Sequence, residues 1–180
     1  MSDSDGKILD AFGAWLNALG RDAELLGGLL APADGVDLDE GARKAAAGGL
    51  NYLFKSLDLI PDGIDDIGYL DDAFVLRVAA AQAVEAGAQG KEVSQLATEN
   101  DVVRDFLGET YARLDRYVTG LRSGAARGRT VQDILGSEGV LAEFLEDVKG
   151  FAAAYKAPSF TRDPKNLIKL RAFFDAKLPK

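Results

Sequence analysis

Acidic side chains are concentrated in one short stretch of the sequence. From Asp58 to Asp72 there are six aspartates and no basic residue, with aliphatic side chains between the acids. Carboxylate oxygens are the ligands that Mg²⁺ and Ca²⁺ prefer, and carboxylates that hold a metal can activate water for phosphoester hydrolysis. If this chain carries out chemistry, this stretch is where we expect it.

Helix capping is the favoured interpretation of these acids. Asp58 would cap a short turn, and Asp71 or Asp72 would cap the helix that follows, each cap contributing about 1 kcal/mol. Lys55 or Arg77 would supply the counter-charge. This interpretation gives the acids an architectural role.

The alternative interpretation is a site for a divalent cation, Mg²⁺ or Ca²⁺, formed by Asp58, Asp62, Asp71 and Asp72. Two carboxylates about 4 Å apart repel by about 4 kcal/mol at an effective dielectric constant of 20, so a cation, an arginine or a proton must compensate. The spacing is not that of an EF-hand, because Ile64 occupies the third position from Asp62 and no glutamate closes the loop. Both interpretations stay open.

The sequence offers few other means of catalysis. It contains no histidine and no cysteine, which excludes Ser-His-Asp triads and thiolate chemistry. Lys55-Ser56 lacks the preceding glycines of a phosphate-binding loop, and no nucleophile elbow is present. We therefore assign no catalytic and no cofactor-binding residue, and we favour a non-enzymatic protein, with a metal-dependent hydrolase as part of the alternative.

Composition indicates one soluble domain spanning residues 1–180. The net charge is -8 and the isoelectric point is about 4.6. Residues 1–100 carry 7 basic and 18 acidic side chains, whereas residues 101–180 carry 14 basic and 11 acidic ones. An acidic protein is a poor nucleic-acid binder, since phosphate contacts need clustered Lys and Arg, so we expect no nucleic-acid partner.

Basic residues are clustered in the second half of the chain. The cluster is opposed within its span only by Asp115, and it consists of Arg113, Arg116, Arg122, Arg127 and Arg129. A solvated helix face is the favoured interpretation. The functional interpretation is a docking surface for an acidic protein partner or for anionic lipid headgroups.

The location predicted from the sequence is the cytoplasm. The N-terminus has no secretory-signal pattern, and no stretch approaches the ~20 apolar residues of a membrane helix. We expect no transmembrane segment, and at most weak peripheral contact with a membrane.

Hydrophobic periodicity predicts an all-α fold of seven or eight helices. Asp37 or Asp39 would cap the segment 40–57. Thr98, Asn100 or Asp101 would cap the segment 102–121. Residues 123–129 are predicted to be a flexible linker, and no strand is predicted. The predicted segments are 7–19, 22–30, 40–57, 69–88, 91–97 as a helix or loop, 102–121, 131–135, 138–156 and 164–177.

A helix–acidic turn–helix hairpin over residues 40–88 forms the predicted centre of the fold. Residues 45–49 are all alanine or glycine. Because each of the two glycines costs about 1 kcal/mol relative to alanine within a helix, we expect a second helix to cross closely there.

Two sequence blocks within this hairpin resemble a known signature. Asp58-Leu59-Ile60-Pro61-Asp62 and Gly68-Tyr69-Leu70-Asp71-Asp72 are similar to the signature of the YkvA-like bacterial family, a small helical domain of unknown function. The resemblance covers residues 50–80. It departs from the family before the first block, where Lys55-Ser56-Leu57 replaces the usual Ser-Pro-Ile, and between the blocks, where Gly63, Asp65 and Asp66 are particular to this chain.

The resemblance implies a fold module with no established activity. Together with the composition, it leads us to expect a non-enzymatic interaction or scaffold module of the bacterial cytoplasm. A location near the membrane is one form of this expectation. The alternative is the carboxylate-rich metal-binding protein.

Overall fold

The computed structural model describes residues 1–31, 38–56, 58–61, 63–64 and 67–180. These residues confirm the predicted all-α class, with two-residue strands β1 (Ala125–Ala126) and β2 (Arg129–Thr130) and 3-10 turns at Gly108–Thr110 and Leu121–Ser123 as additions. The helices in the described residues are α1 (Asp3–Gly27), α2 (Glu40–Tyr52), α3 (Leu70–Glu85), α4 (Lys91–Leu107), α5 (Tyr111–Gly120), α6 (Val131–Gly136), α7 (Glu138–Ala154) and α8 (Lys165–Lys177).

Helix α1 is continuous, whereas two helices broken near Gly20 were expected. Ser2 caps α1 by accepting a hydrogen bond from the Asp5 N–H. A Cβ placed on Gly20 would lie 3.2 Å from the Ala152 carbonyl oxygen of α7. The glycine therefore allows α7 to approach closely and does not end the helix.

Helices α2 and α3 cross closely, as the run of small residues predicted. A Cβ on Gly49 would lie only 2.5 Å from the Ala79 Cβ. Asp39 caps α2 by accepting the Gly41 N–H at 2.7 Å, while the other candidate cap, Asp37, lies outside the described residues. The helix ends at Tyr52, which is earlier than the predicted residue 57.

Helix α3 is the central helix of the fold. Every residue from Leu70 to Ala80 is buried, as expected for a helix covered on all sides. A cluster of aromatic side chains packs on it: the Phe12 ring lies 5.0 Å from the Phe74 ring, and Phe174 of α8 stacks on Phe74 at 5.1 Å.

The boundary between α4 and α5 differs from the prediction. Residues 91–107 form one helix, and the break comes at Gly108, which has a φ of +55°. Asn100 lies inside α4 and is buried, where its Nδ2 donates to the Tyr111 hydroxyl at 2.6 Å. The expectation that Thr98, Asn100 or Asp101 caps a helix is therefore wrong.

Part of the predicted linker forms a small hairpin. Strands β1 and β2 pair Ala125 with Thr130 and Ala126 with Arg129. The two turn residues, Arg127 and Gly128, have φ values of 51° and 76°, the combination that a tight hairpin turn requires. Such short strands show no alternation, so the sequence did not reveal them, and the flexibility of residues 123–129 stays a prediction.

In the described part of the chain, none of the helices has the length and apolar character that crossing a bilayer requires.

Candidate functional site

Along the sequence, the acidic stretch begins after α2 and ends in the first turn of α3. Asp58, Asp71 and Asp72 are placed by the structure. Asp62, the fourth predicted ligand, lies outside the described residues, as do Asp65 and Asp66. The site can therefore be built from three of its six acids.

A hydrogen-bonded group, which we call the Tyr52–Asp71 clasp, connects the two helices with the turn. The Tyr52 hydroxyl donates to Asp71 Oδ2 at 2.5 Å and accepts the backbone N–H of Leu59 at 2.8 Å. The N–H of Ile60 also donates to Asp71 Oδ2, at 3.4 Å. The end of α2, the turn and the first turn of α3 are thus held together by one carboxylate and one phenol.

Both side chains of the clasp are fully buried. A buried carboxylate is costly unless hydrogen bonds compensate it. Here the Tyr52 hydroxyl and the Ile60 N–H, both neutral, donate to the Asp71 carboxylate. Burial raises the pKa of Tyr52 far above its ordinary value, and the charges of Asp71 and Asp72 raise it further. The phenol consequently remains protonated and acts as a donor.

The acid pair does not occupy the cap position of α3. The N-cap residue is Tyr69, which has a left-handed backbone with a φ of 69° and no side-chain capping bond. Asp71 and Asp72 lie within the first turn, where the helix dipole favours acids. The expectation that one of them is the N-cap is wrong, because Asp71 instead accepts hydrogen bonds from Tyr52 and Ile60.

Asp58 is half-buried and lies near a second phenol, Tyr117 of α5. Burial raises the pKa of Tyr117 to about 12, and the charges of Asp58 and Asp71 contribute in that order. The Tyr117 ring packs edge-on against Tyr52, with 6.2 Å between centroids. Two of the signature acids therefore act on the same half-buried phenol.

The described acids alone do not form a metal site. No group of three acidic side chains within the described ranges is arranged to hold an ion. Because Asp62 falls outside those ranges, the set of Asp58, Asp62, Asp71 and Asp72 stays a prediction.

The five clustered arginines differ in their exposure and in their contacts. Arg113 binds the end of α8, with its guanidinium donating to Asp175 Oδ1 at 2.9 Å and to the Asp175 carbonyl at 2.8 Å. Arg122 donates to Gln82 Oε1 at 3.1 Å. Arg116 is exposed.

The last two arginines of the cluster pack on aromatic rings beside the hairpin of β1 and β2. Arg129 lies 5.1 Å from the centre of the Phe144 ring and forms an ion pair with Asp147 at 2.8 Å. Arg127 is exposed and lies 4.9 Å from the Phe54 ring. The interaction surface predicted from all five residues stays a prediction, and Arg116 and Arg127 are its exposed members.

A second buried charge cluster was missed by sequence reasoning. Arg77 was expected to neutralise the signature acids, but its guanidinium binds Asp22 Oδ2 of α1 at 3.0 Å and Glu99 Oε1 of α4 at 2.9 Å. It also lies 4.1 Å from the Trp15 ring. We call Asp22, Arg77 and Glu99 the ion cluster.

Burial has opposite effects on the two innermost groups of the ion cluster. It lowers the pKa of Arg77 and raises that of Asp22, and the attraction between the two charges opposes both shifts. The sequence signal for this cluster was an arginine within an otherwise apolar run, residues 73–81, since its partners come from distant segments.

The described residues define an all-α protein in which the clasp joins the end of α2 to the first turn of α3. Residues 42–77, which include most of α2, the turn and the first half of α3, match a family described as "Protein of unknown function (DUF1232)". The predicted resemblance to a family of unknown function is thereby confirmed for this segment, although the match does not itself carry the YkvA-like label. The chain matches no curated protein and no solved structure.

Proposed function

We propose that this protein is a non-enzymatic interaction or scaffold module of the bacterial cytoplasm, in which the acidic turn holds a rigid bend. The single observation that carries the proposal is the burial of Asp71 and its hydrogen bonds to Tyr52 and Ile60. A fully buried carboxylate bound by the protein's own donors supports the architecture and does not face a substrate.

The clasp explains why a scaffold would need this signature. Tyr52 and Asp71 are 19 residues apart, and the turn between them donates two backbone N–H groups to the pair. Such a network fixes the path of the chain between two helices, because buried polar groups must be satisfied in one arrangement. A fixed bend presents the outer faces of neighbouring helices in a constant orientation.

Charge favours an acidic partner on the side of α5 and the β hairpin. The second part of the chain, residues 101–180, carries a net charge of +3 in a protein of net charge -8. Arg116 and Arg127 are exposed and are available to an acidic protein surface. Weak contact with anionic lipid headgroups is the membrane-proximal version of the same proposal.

The second candidate is a Mg²⁺ or Ca²⁺ site, with or without hydrolase activity. The observation that supports it is that the charges of both Asp58 and Asp71 raise the pKa of Tyr117. With Asp62 and Asp72 they would offer the oxygen ligands that these ions prefer.

Calorimetric titration of the full chain with Mg²⁺, Ca²⁺ and Mn²⁺ separates the two candidates. The scaffold proposal expects no saturable heat, together with a lower melting temperature for Asp71→Asn than for the matched control Asp101→Asn on the exposed face of α4. Saturable heat that Asp71→Asn weakens and Asp101→Asn does not would establish the metal site and contradict the scaffold role.

Charge reversal tests the interaction surface. We expect Arg116→Glu combined with Arg127→Glu to abolish cross-linking of the full chain to its partner in cells, whereas Arg104→Glu on α4 should leave it intact. Equal cross-linking by both variants would contradict the docking surface. Flotation with phosphatidylglycerol vesicles at low salt tests the contact with lipid headgroups. That contact requires the protein to float together with the vesicles, and protein that stays behind would contradict it.

A further inference from the structure

A pocket of about 670 Å³ opens between α2, the 3-10 turn that follows α5, and α6. Its walls carry two cationic side chains, Lys44 and Arg122, together with the hydroxyl of Ser123. Val131 and Leu135 of α6 form an apolar part of the wall. The described residues that line it belong neither to the clasp nor to the ion cluster, so what the pocket binds does not depend on the acidic turn.

Arg122 is held in place by a neutral side chain. Its Nη2 donates to Gln82 Oε1 at 3.1 Å, and Gln82 is only 9% exposed. The nitrogen of the same amide donates to Asp115 Oδ1 and to Thr119 Oγ1, each at 3.0 Å. Because an ionised carboxylate can only accept, the amide nitrogen must face Asp115 and the amide oxygen must face Arg122. The guanidinium therefore has a fixed orientation.

The protein compensates the charge of Arg122 incompletely. Within the described part of the chain, its one hydrogen bond is that to Gln82, and its Nε is buried without an acceptor. A guanidinium has donors on all of its nitrogen atoms, and Arg77, by contrast, donates to two carboxylates and a carbonyl. A partly buried cation without a counter-charge is costly, and an anion in the pocket would reduce that cost through Nη1.

Lys44 is the second cation of the pocket, and it too forms no ion pair with a described acid. It is exposed on α2, and Glu40, one helical turn earlier, lies 3.8 Å from Arg43 Nη1 instead. Glu40 also borders the pocket, so the described lining consists of two cations and one carboxylate. The surplus is one positive charge, which a monovalent anion would balance.

We propose that this pocket binds the carboxylate group of an organic ligand, with Arg122 and Lys44 as its donors. A planar guanidinium matches the geometry of a carboxylate, and the hydroxyl of Ser123 adds a neutral donor. Val131 and Leu135 provide apolar contact for the carbon chain that bears the carboxylate. A phosphate dianion would carry more negative charge than the pocket lacks.

Glu40 is the internal competitor of the ligand. Its carboxylate repels an anion in the pocket, and it attracts the ammonium of Lys44 across one turn of α2. Glu40→Gln removes both effects while keeping the size of the side chain. We expect this variant to bind carboxylates more tightly than the wild type, a gain that a purely structural role of these residues would not produce.

The Arg122 Nε–H group is a built-in reporter of binding. Because the Nε atom is buried, its proton is sheltered from exchange with water and should give a separate signal in ¹⁵N NMR spectra of the full chain. Loss of that signal in Arg122→Lys assigns it. A carboxylate bound to the same guanidinium should shift it.

The experiment titrates the full chain with butyrate and, as a neutral control, with butanol at equal ionic strength. We expect a saturable shift of the Arg122 Nε–H signal and of the Ser123 amide with butyrate only. A parallel titration with Nα-acetylglutamic acid amide identifies the source of the carboxylate. Tighter binding than butyrate indicates an acidic side chain of a protein, weaker binding indicates a free organic acid, and either result supports the site.

Variants establish where the ligand binds. Lys44→Gln should weaken butyrate binding about tenfold, the expected loss for one charge-assisted hydrogen bond. The matched control Lys169→Gln, at an exposed position of α8, should leave binding unchanged. Arg122→Gln should abolish it. Since that change also removes a hydrogen bond, Gln132→Glu is the second variant: Gln132 is exposed and borders the pocket, and a carboxylate there should exclude the ligand without disturbing the fold.

The proposal is overturned if the wild type gives no saturable response, if butanol acts as butyrate does, or if Lys44→Gln binds as tightly as the wild type. Stronger binding of inorganic phosphate than of butyrate at equal ionic strength would also overturn it, because the pocket would then be a phosphate site. Neither Arg116 nor Arg127 is among the described residues that line the pocket, so this outcome is separate from that of the docking surface.

Discussion

Helix α3 buries carboxylates at two places, and it satisfies them in different ways. At its first turn, Asp71 accepts hydrogen bonds from the neutral donors Tyr52 and Ile60. Farther along, Arg77 brings a cation against Asp22 and Glu99. The clasp thus lies entirely within residues 52–71, whereas the ion cluster joins α3 to α1 and α4.

The difference between the two sites determines what each contributes. Removing one partner of a buried ion pair leaves an uncompensated charge and costs about 3–5 kcal/mol. Removing a neutral hydrogen-bond donor costs the desolvation of the group left behind, about 1–3 kcal/mol. The ion cluster should therefore have the larger effect on global stability, and the clasp should mainly fix local geometry.

Arg77→Met gives the largest expected effect. It leaves Asp22 buried without its cation, so we expect the free energy of unfolding to fall by about 3–5 kcal/mol, measured by urea denaturation. Adding Asp22→Leu should restore part of the loss. A decrease below about 1 kcal/mol for Arg77→Met would mean that the ion cluster is far better hydrated than its burial indicates.

Tyr52→Phe comes next. It removes the donor to Asp71 and the acceptor for the Leu59 N–H, and we expect a loss of about 1–3 kcal/mol. Tyr155→Phe is the matched control, because the half-buried Tyr155 donates to the Leu16 carbonyl at 2.7 Å. If Tyr155→Phe lowers the free energy of unfolding as much as Tyr52→Phe does, the clasp stabilises the fold no more than a single tyrosine–carbonyl hydrogen bond.

High pH distinguishes the clasp from the ion cluster. Tyr52 and Tyr117 have pKa values raised by burial, that of Tyr117 to about 12. A tyrosine whose pKa is raised in the folded state contributes its full stability at every pH below its unfolded-state pKa of about 10. That contribution is lost as the pH rises through the folded-state pKa. Ultraviolet absorbance should therefore show Tyr117 ionising near pH 12 and Tyr52 only beyond it.

The same titration repeated on Tyr117→Phe should lose the step near pH 12 and show a smaller loss of stability above pH 10. Ionisation of all five tyrosines in a single step at the ordinary value would show that neither phenol is buried beside the acids.

Asp133→Asn gives the smallest expected effect and serves as an exposed reference for both buried sites. The Asp133 carboxylate accepts the Thr130 N–H at 3.0 Å in a capping box, and that hydrogen bond lowers its pKa. Its contribution is present above the unfolded-state value of 3.8 and is lost as the pH falls through the lower folded-state value. The wild type and the variant should consequently converge in stability in strong acid.

Sequence patterns predicted those features that depend on neighbouring residues. Periodicity gave the all-α class, and small residues at Gly49 indicated the close crossing of α2 and α3. The predicted last segment, 164–177, corresponds to α8, and the Oδ1 of the preceding Asp163 accepts the Lys165 N–H at 2.9 Å. The expected end of the first helix at Gly20 was wrong, because a glycine within a helix can serve either termination or close packing.

The contacts of the two buried sites could not be predicted in the same way. Tyr52 and Asp71 are 19 residues apart, and Asp22 and Arg77 are 55 residues apart. Their pairing depends on how helices pack, which local patterns do not encode. The signature singled out Asp71 but did not reveal that Tyr52 is its hydrogen-bond partner.

A double-mutant cycle on Tyr52→Phe and Asp71→Asn tests the central claim most directly. The free energy of unfolding is measured by urea denaturation for the wild type, both single variants and the double variant. If the signature acid exists to hold the bend, the two changes should be non-additive by at least about 1 kcal/mol, as expected for residues in one hydrogen-bonded network. Additive losses would contradict the account, because Asp71 would then act independently of the phenol that is bonded to it.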